Sequence, residues 1–476
     1  FSKKYLNTKD KFYDESSINY HTFNWLFAAK KIGGAEVVAI AKKQIFNWNN
    51  KTYKITSFVW NINYVAKRLI SLIYNFDFYA ISSTAKEKKI YKMMIVRHFF
   101  ILNLQTKIIN SINRQSIEVN KALLLFSLIN KLQHTKILKL INNQIRYNID
   151  ENGFHKSINP CLQAEYINHL YEIKNMCLFF KLEPSSEIKF QIMNMSSLLK
   201  NLFHKDNTIA LFNGSNNANY KSIIKINNLY KDIKAKNLNN IKNGLAVFDY
   251  NKLKFFFDIT KPTSKLLNLN LHAGTLSFEM SYDKEKIITN CGSIEKRIGK
   301  KPEFLRYSAA HSTIVLNNTN ISELVEKKSY KRIPQIIEYN YYELKDSFLY
   351  EAMHDGYKDN LKSIIKRKIF ISKRNTKITG EDTIISTKLN AQKKIYSIRF
   401  HLTPNCSCLI TNDKKSILIK TISKTSWIFK SANKLTLEDS IYINDGKRIN
   451  KTKQIVISGI ASTPKNTERW SISKIE

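Results

Sequence analysis

Glycine and proline are scarce in this chain, 12 and 7 among 476 residues. No proline and only two glycines precede residue 150. That shortage excludes a turn-rich β architecture for the first third and suits long helices joined by tight turns. Cysteine is rare as well. Cys161, Cys177, Cys291, Cys406 and Cys408 are odd in number and low in density, which argues against a disulfide framework. Cys406-Ser-Cys408 lacks the two-residue gap of a zinc knuckle and has no second pair nearby, so all five are read as reduced or incidental. No apolar run reaches the roughly 18 residues of a membrane span. Ala122–Ile129 is short and closed by Asn130-Lys131, so a soluble protein is expected. The first residue is Phe rather than Met, so the N-terminus is expected to be incomplete and the lack of a signal peptide says little about location.

Acidic residues are also few, 38 against 77 Lys and Arg, for a net charge of +39. Such an excess favours a polyanionic partner. The lysines are scattered, however, and form neither a basic tail nor a periodic basic-aromatic stripe. Abundant Lys, Asn, Ile, Phe and Tyr with little Ala, Gly, Pro and Arg is the signature of an AT-rich genome. No nucleic-acid partner is expected.

What the chain does have is two textures. Up to about residue 240, apolar residues recur three and four apart, as in Asn24–Lys31 and Val65–Tyr74. The stretches Tyr91–Ile109, Ile117–Lys131, Ile137–Ile149, Leu162–Leu178 and Ile188–Phe203 extend that pattern, and a connecting helix is expected around Lys221–Lys236. Periodicity leaves a helical bundle and an α/α toroid equally open. From Leu245 onward short runs alternate apolar and polar residues, with turn signals at Asn290-Cys-Gly292, Asp355-Gly356, Thr379-Gly380 and Asp445-Gly446. An α+β multidomain chain is expected, with a helical domain over 1–240 and a large antiparallel β-sandwich over 241–476.

Chemistry-bearing residues cluster in five places. Gly153-Phe-His155-Lys-Ser-Ile-Asn159-Pro160 presents a His and an Asn just ahead of a helix that Pro160 suits. Asn159 also reads simply as an N-cap, and His155 as a surface residue. His204-Lys-Asp206-Asn207 through Phe212-Asn213-Gly214 reads as a helix end and a polar turn, with Asn207 able to take positive φ. Three further segments, each carrying a histidine, read as strands: His272–Glu279, Arg306–Val315 and Ile398–Pro404. An imidazole in an apolar stretch is costly without a partner. Alternation puts His272, Gly274 and Leu276 on one face, and Arg399 and His401 on another, where the two could grip a carboxylate or sulfate. A lone His of this kind also reads as structural.

Together, in this order and at these separations, these segments resemble the heparinase II/III family of bacterial polysaccharide lyases. His354-Asp-Gly-Tyr357, Gly380-Glu-Asp382, Trp427, Glu438–Tyr442 and Trp470-Ser-Ile continue the series, so that the resemblance runs from about 150 to 475. Relatives carry Gly-Gly-His and Arg-Asn-Pro where this chain has Asn152 and Ile158, and Gly where it has Asn207. They carry Ser-Gly-Tyr where it reads Asn243-Gly244-Leu245.

The resemblance implies an incomplete α/α toroid and β elimination on a uronic-acid-containing, glycosaminoglycan-like polysaccharide. It implies a cleft between the helical and β domains, with His155, Asn159 and His272 catalytic and His204, Asn213, Arg399 and His401 binding substrate. Tyr250, Tyr307 and Tyr357 are the tyrosines available for proton transfer. The family's His, Asp, His metal ligands would correspond to His272, Asn290 and His311. A neutral amide in the middle weakens that site, so no cofactor is required and any divalent metal is weakly held. The implied partner is an acidic polysaccharide, which the positive charge would help recruit. The implied compartment is the periplasm or cell envelope. A non-catalytic glycan-binding or envelope-assembly protein on the same scaffold is the alternative.

Overall fold

The computed structural model describes residues 18–51, 57–109, 116–261, 271–294, 303–325, 329–388, 393–404 and 406–475. These fall into two compact units. The described residues within 1–147 and 169–190 make one; those within 148–168, 191–295 and 301–476 make the other.

Helices α1 (Ile18–Thr22), α2 (Trp25–Ile32), α3 (Ala35–Asn50), α4 (Ile62–Tyr74), α5 (Phe76–Ala80), α6 (Ala85–Ile109), α7 (Ile117–Ile129), α8 (Thr135–Asn148), α9 (Pro160–Phe179), α10 (Ser186–Leu199) and α11 (Tyr220–Leu229) follow one another before the first strand. Their starts are chemically marked. Asn61 Oδ1 accepts the Asn63 N–H at the head of α4. At the head of α6, Thr84 Oγ1 accepts the Glu87 N–H while Glu87 accepts the Thr84 N–H, a reciprocal capping box. The helical periodicity therefore locates real elements, and the expected connecting helix ends sooner, at Leu229. Among the described residues no helix is long and apolar enough to cross a membrane.

In the first unit the buried faces meet around Phe23, Leu26, Trp48, Tyr79 and Tyr91. Arg68 is fully buried among them. It donates to His98 Nε2 at 2.7 Å and to the His21 carbonyl at 2.5 Å, and it lies 4.2 Å from the Trp48 ring centroid. The aromatic faces and carbonyls compensate a charge that burial would otherwise penalise.

The second unit carries two eight-stranded sheets. In the first, β1 (Leu245–Tyr250), β2 (Leu253–Asp258), β3 (Phe278–Tyr282), β4 (Glu285–Thr289), β12 (Lys394–Leu402), β17 (Asn450–Ala461) and β16 (Leu435–Tyr442) lie side by side in that order, and β5 (Ile314–Leu316) pairs with β12. The second sheet runs β13 (Ser407–Ile410), β14 (Ser416–Lys420), β15 (Ser426–Ser431), β18 (Lys465–Ile475), β11 (Lys377–Ser386), β10 (Ser363–Ser372), β9 (Ser347–Tyr357), β8 (Ile336–Leu344). A two-stranded ladder joins β6 (Glu323–Val325) to β7 (Ser329–Arg332). Every named pairing is antiparallel, as expected of a sandwich.

The sheets meet through aromatic side chains. Phe278 of the first stacks on Trp470 of the second at 5.5 Å, and Phe400 sits 4.7 Å from Phe429. Two of the expected turn glycines serve this packing instead. Gly380 lies inside β11, where a Cβ would come within 2.1 Å of the Trp470 ring. Gly356 lies inside β9, where a Cβ would meet Ile321 at 2.6 Å. Close approach rather than a turn requires glycine at both positions. Gly446, at φ 70°, is a turn glycine as expected.

Candidate functional site

His155, Asn159, His204, Asn213, His272, Asn290, His311, Arg399 and His401 all fall in the second unit. The loop between α8 and α9 is built on Asp150, whose Oδ1 accepts the N–H groups of Asn152 and Phe154 at 3.0 and 2.8 Å. His155 follows. Its N–H donates to Gln163 Oε1 at 2.7 Å, and its Nδ1 meets the Ser157 hydroxyl at 2.7 Å. The half-buried ring lies 5.1 Å from that of Tyr166, and burial lowers its pKa to about 4, so it is neutral near pH 7.

Asn159 is the N-cap of α9. Its Oδ1 accepts the N–H groups of Cys161 and Leu162 at 2.9 and 3.1 Å. Its Nδ2 reaches 54 residues along the chain to the Asn213 carbonyl at 2.8 Å. Asn213 answers: its Nδ2 donates to the Ile158 carbonyl at 3.1 Å, and its Oδ1 accepts the His272 N–H at 3.3 Å. Both flanks of this brace are strained. Asn213 sits at φ 50°, which Asn tolerates, but Ile158 sits at φ 46°. A buried β-branched residue in the left-handed region costs on the order of 1–3 kcal/mol and needs such over-determination to persist.

The segments bearing His272 and His311 are not strands, contrary to their apolar pattern. Residues 271–277 form a turn with Leu276 at φ 59°, and β3 begins only at Phe278. His311 follows a 3₁₀ turn over Ser308–Ala310 and precedes β5. The turns bring the two rings together edge-on, with His272 Nδ1 3.1 Å from His311 Nε2. His311 Nδ1 lies 2.9 Å from the Tyr307 carbonyl, which can only accept, so Nδ1 carries the proton. Burial lowers the His311 pKa to about 4, which keeps that ring neutral. Its Nε2 therefore accepts from His272 Nδ1–H. Gly274 makes room: a Cβ there would stand 2.6 Å from His311 Cδ2.

Beneath the pair lies a buried carboxylate. Glu279 accepts from His204 Nε2 at 3.0 Å, the Leu211 N–H at 3.1 Å, the Thr289 hydroxyl at 2.9 Å and the Asn290 N–H at 3.0 Å. Burial opposes its charge, yet these donors and the nearby Lys286 hold its pKa below the ordinary value. His204 Nδ1 meets the Ser281 hydroxyl at 2.8 Å, so both of its nitrogens are engaged internally. Burial lowers its pKa.

The donors for a metal divide. Two imidazole nitrogens 3.1 Å apart fit a common ion that each would ligate at about 2.0–2.1 Å. Asn290 does not complete the set. Its Oδ1 accepts the Ser312 N–H at 3.1 Å, which fixes the amide orientation, and its Nδ2 is buried without a hydrogen bond. Among the described residues no group of three or more His, Cys, Asp or Glu is placed to hold a metal ion.

His401 and Arg399 do share a strand face, as alternation requires, and both reach β16. His401 meets the Ser440 hydroxyl at 2.7 Å and the Ala309 carbonyl at 3.0 Å, so its buried ring is internally satisfied. Burial lowers its pKa to about 3. Arg399 Nη1 pairs with Glu438 at 3.2 Å. Of the available tyrosines, Tyr357 is buried with its hydroxyl on the Ile314 and Thr319 carbonyls. Tyr250 is exposed at the end of β1, and half-exposed Tyr307 holds His311 through its carbonyl. Leu245, where relatives have tyrosine, is fully buried at the start of β1.

Hydrogen bonds thus run from His155 through Ser157, Asn159 and Asn213 to His272 and His311. Ser312 ties in Asn290, through its N–H, and the His401 N–H, through its hydroxyl. The sequence reading missed Arg367. Its Nη1 donates to the carbonyls of Leu276 and Ser312 at 2.7 and 2.9 Å, clamping both histidine turns, while Asp382 grips its Nε and Nη2. A lone Arg at the middle of an apolar-alternating strand was the available signal.

Residues 240–471 match the family model described as Heparinase II/III-like, C-terminal. A 235-residue stretch is 23% identical to the FtsZ-localized protein C of Caulobacter vibrioides (strain NA1000 / CB15N), covering 46% of this chain and 40% of that protein. The chain thus spans well under half the length of this curated relative. Solved structures share the fold. A heparinase III superposes with TM-score 0.73 at 13% identity over 98% of this chain and 78% of its own. A heparan sulfate lyase mutant from Pedobacter heparinus gives 0.66 at 12% over 96% and 76%. A Paenibacillus xanthan lyase gives 0.56 at 9% over 96% and 53%.

Proposed function

This chain belongs to the heparinase II/III family through residues 240–471, and from that premise we propose that it cleaves an acidic, uronic-acid-containing polysaccharide by β elimination. In that reaction a base takes the proton from C5 of the uronate. The electron pair forms a C4–C5 double bond, the C4–O bond breaks, and the leaving oxygen takes a proton. The C5 proton is only weakly acidic, so the adjacent carboxylate must be neutralised by hydrogen bonds.

The observation that carries this reading is the His272–His311 pair. It sets the buried neutral ring of His311 directly behind His272 and fixes which His272 nitrogen faces it. On this reading His272 is the proton-transferring group. Asn159 has one amide hydrogen beyond its bond to Asn213 and would donate it to the uronate carboxylate, with neutral His155 beside it. Arg399 and the Asn213 turn would contact the flanking sugar. The test is ultraviolet absorbance of the conjugated uronate product across a panel of uronic-acid polysaccharides, with His272→Ala as control. A rise with the native chain that the variant loses supports the reading. No rise on any substrate with folded protein overturns it.

A second reading is a non-catalytic glycan-binding or envelope-assembly protein on the same scaffold. Leu245 and Asn290, where relatives carry Tyr and Asp, favour it, and so does the similarity to a protein whose name places it with FtsZ. Glycan binding without product absorbance would select it. Either reading suits a periplasmic or cell-envelope location.

A further inference from the structure

An open cavity of about 590 Å³ lies on the sandwich at the β3–β4 turn. Its marker, Lys286, is four residues before Asn290, or roughly 13 Å along an extended strand. Acidic and basic side chains both line it, but they are not equally committed. Asp206 Oδ1 accepts the Thr208 N–H and hydroxyl at 2.8 and 2.7 Å. Glu285 accepts the Ser423 N–H at 2.7 Å and the Thr425 hydroxyl at 3.3 Å. Asp445 Oδ1 accepts the N–H groups of Lys447 and Arg448 at 2.9 and 2.8 Å. Each carboxylate is tied to a turn.

The donors are not so committed. Lys286 is only 7% exposed, and its buried Nζ makes no hydrogen bond within the protein. The Tyr442 hydroxyl and the Asp206 and Glu279 carboxylates lie close enough to favour the ammonium form against its burial, without a well-formed bond to it. Asn444 gives its Oδ1 to Asn217 Nδ2 at 2.7 Å, which turns its own Nδ2 elsewhere, and Arg448, 85% exposed at the rim, makes only a long 3.9 Å ion pair from its Nε to Asp445. An acceptor entering the cavity would supply the well-formed hydrogen bond that this buried ammonium lacks.

We propose that this cavity is a binding site for an acidic saccharide unit, its carboxylate or sulfate seated on Lys286 Nζ and Arg448, its hydroxyls on Asn444 and the lining carboxylates. The site is an anchor for glycan and takes no part in bond cleavage. The choice of a saccharide over a free anion rests on the polysaccharide reading; the anion chemistry does not.

The test is calorimetric or NMR titration of the full chain with glucuronate, which has no glycosidic bond to eliminate, with inorganic sulfate, and with glucose. Glucuronate should bind, glucose should not, and Lys286→Met should weaken glucuronate about tenfold, the scale of one charge-assisted hydrogen bond. Arg448→Ala, at an exposed side chain, should weaken binding in the same direction and carries the test should Lys286→Met not fold. Equal affinity in wild type and both variants would overturn the site. Sulfate binding as tightly as glucuronate would overturn the saccharide assignment and leave an anion site only. Lys286-dependent binding in a chain that never releases unsaturated uronate would sink the lyase reading and leave this site standing.

Discussion

Asn159 and Asn213, 54 residues apart, donate into each other's chain segments: Asn159 Nδ2 to the Asn213 carbonyl, and Asn213 Nδ2 to the carbonyl of Ile158. The same two residues cap α9 and hold the backbone of His272. Asn159→Ala removes a cap and leaves a buried carbonyl unsatisfied, a loss of about 1–3 kcal/mol. We expect a lower Tm together with loss of turnover. Asn159→Asp keeps the cap but not the amide donor. It should recover the cap's share of the stability and none of the turnover, and recovery of turnover would remove Asn159 from the chemistry.

Gly274 is the space that His311 occupies. In Gly274→Ala the new Cβ would meet His311 Cδ2 at 2.6 Å, so the ring must move and its bond to His272 must lengthen. We expect kcat to fall at least about tenfold, the worth of one displaced hydrogen bond, with KM little changed. An unchanged kcat would show that the pair is not used.

Acid should destabilise the fold before carboxylates protonate. His21, His155 and His311 are held near pKa 4 by burial, against 6.5 when free. Between those values the unfolded chain binds protons that the folded chain refuses. Their contribution is therefore intact above about pH 6.5 and is lost as pH falls toward 4, by at most ~1.4 kcal/mol per pH unit for each group. Asp150 and Asp258, both raised by burial, act with the opposite sign, but His98, His204, His354 and His401 are lowered by burial as well and add to the loss in acid. Denaturant midpoints measured from pH 7 to 4 should fall steadily; a flat profile would contradict these assignments.

A chelator should leave Tm unchanged, because Asn290 gives its oxygen to Ser312 rather than to the histidine pair. Asn290→Asp puts an anionic oxygen in place of the unpartnered Nδ2 and should make Tm rise with zinc. No zinc response in that variant would show that position 290 does not reach the pair.

Much of this architecture was legible because it is local. Three-and-four apolar spacing marked the helices, alternation marked the sandwich, and Asn159-Pro160 marked the head of α9. Asn207, expected to tolerate positive φ, adopts 63°. What misled was also local. The stretch from His272 to Glu279 has a strand's composition, yet Leu276 at φ 59° bends it into a turn that Arg367 holds from the other sheet. His401 lies on a strand as expected, but its partners Ala309 and Ser440 are 92 and 39 residues away. Nothing in the pattern near a residue reports such partners. The Asn159–Asn213 brace and the Arg367 clamp belong to the same class.

The most direct test of the central claim is ultraviolet absorbance during incubation with uronic-acid polysaccharides, the native chain beside His272→Ala and His401→Ala. The account predicts a rise with the native chain, none with His272→Ala, and a rise that tracks only the remaining folded fraction with His401→Ala. A rise that survives in His272→Ala, or none from a folded native chain on any substrate, would contradict it.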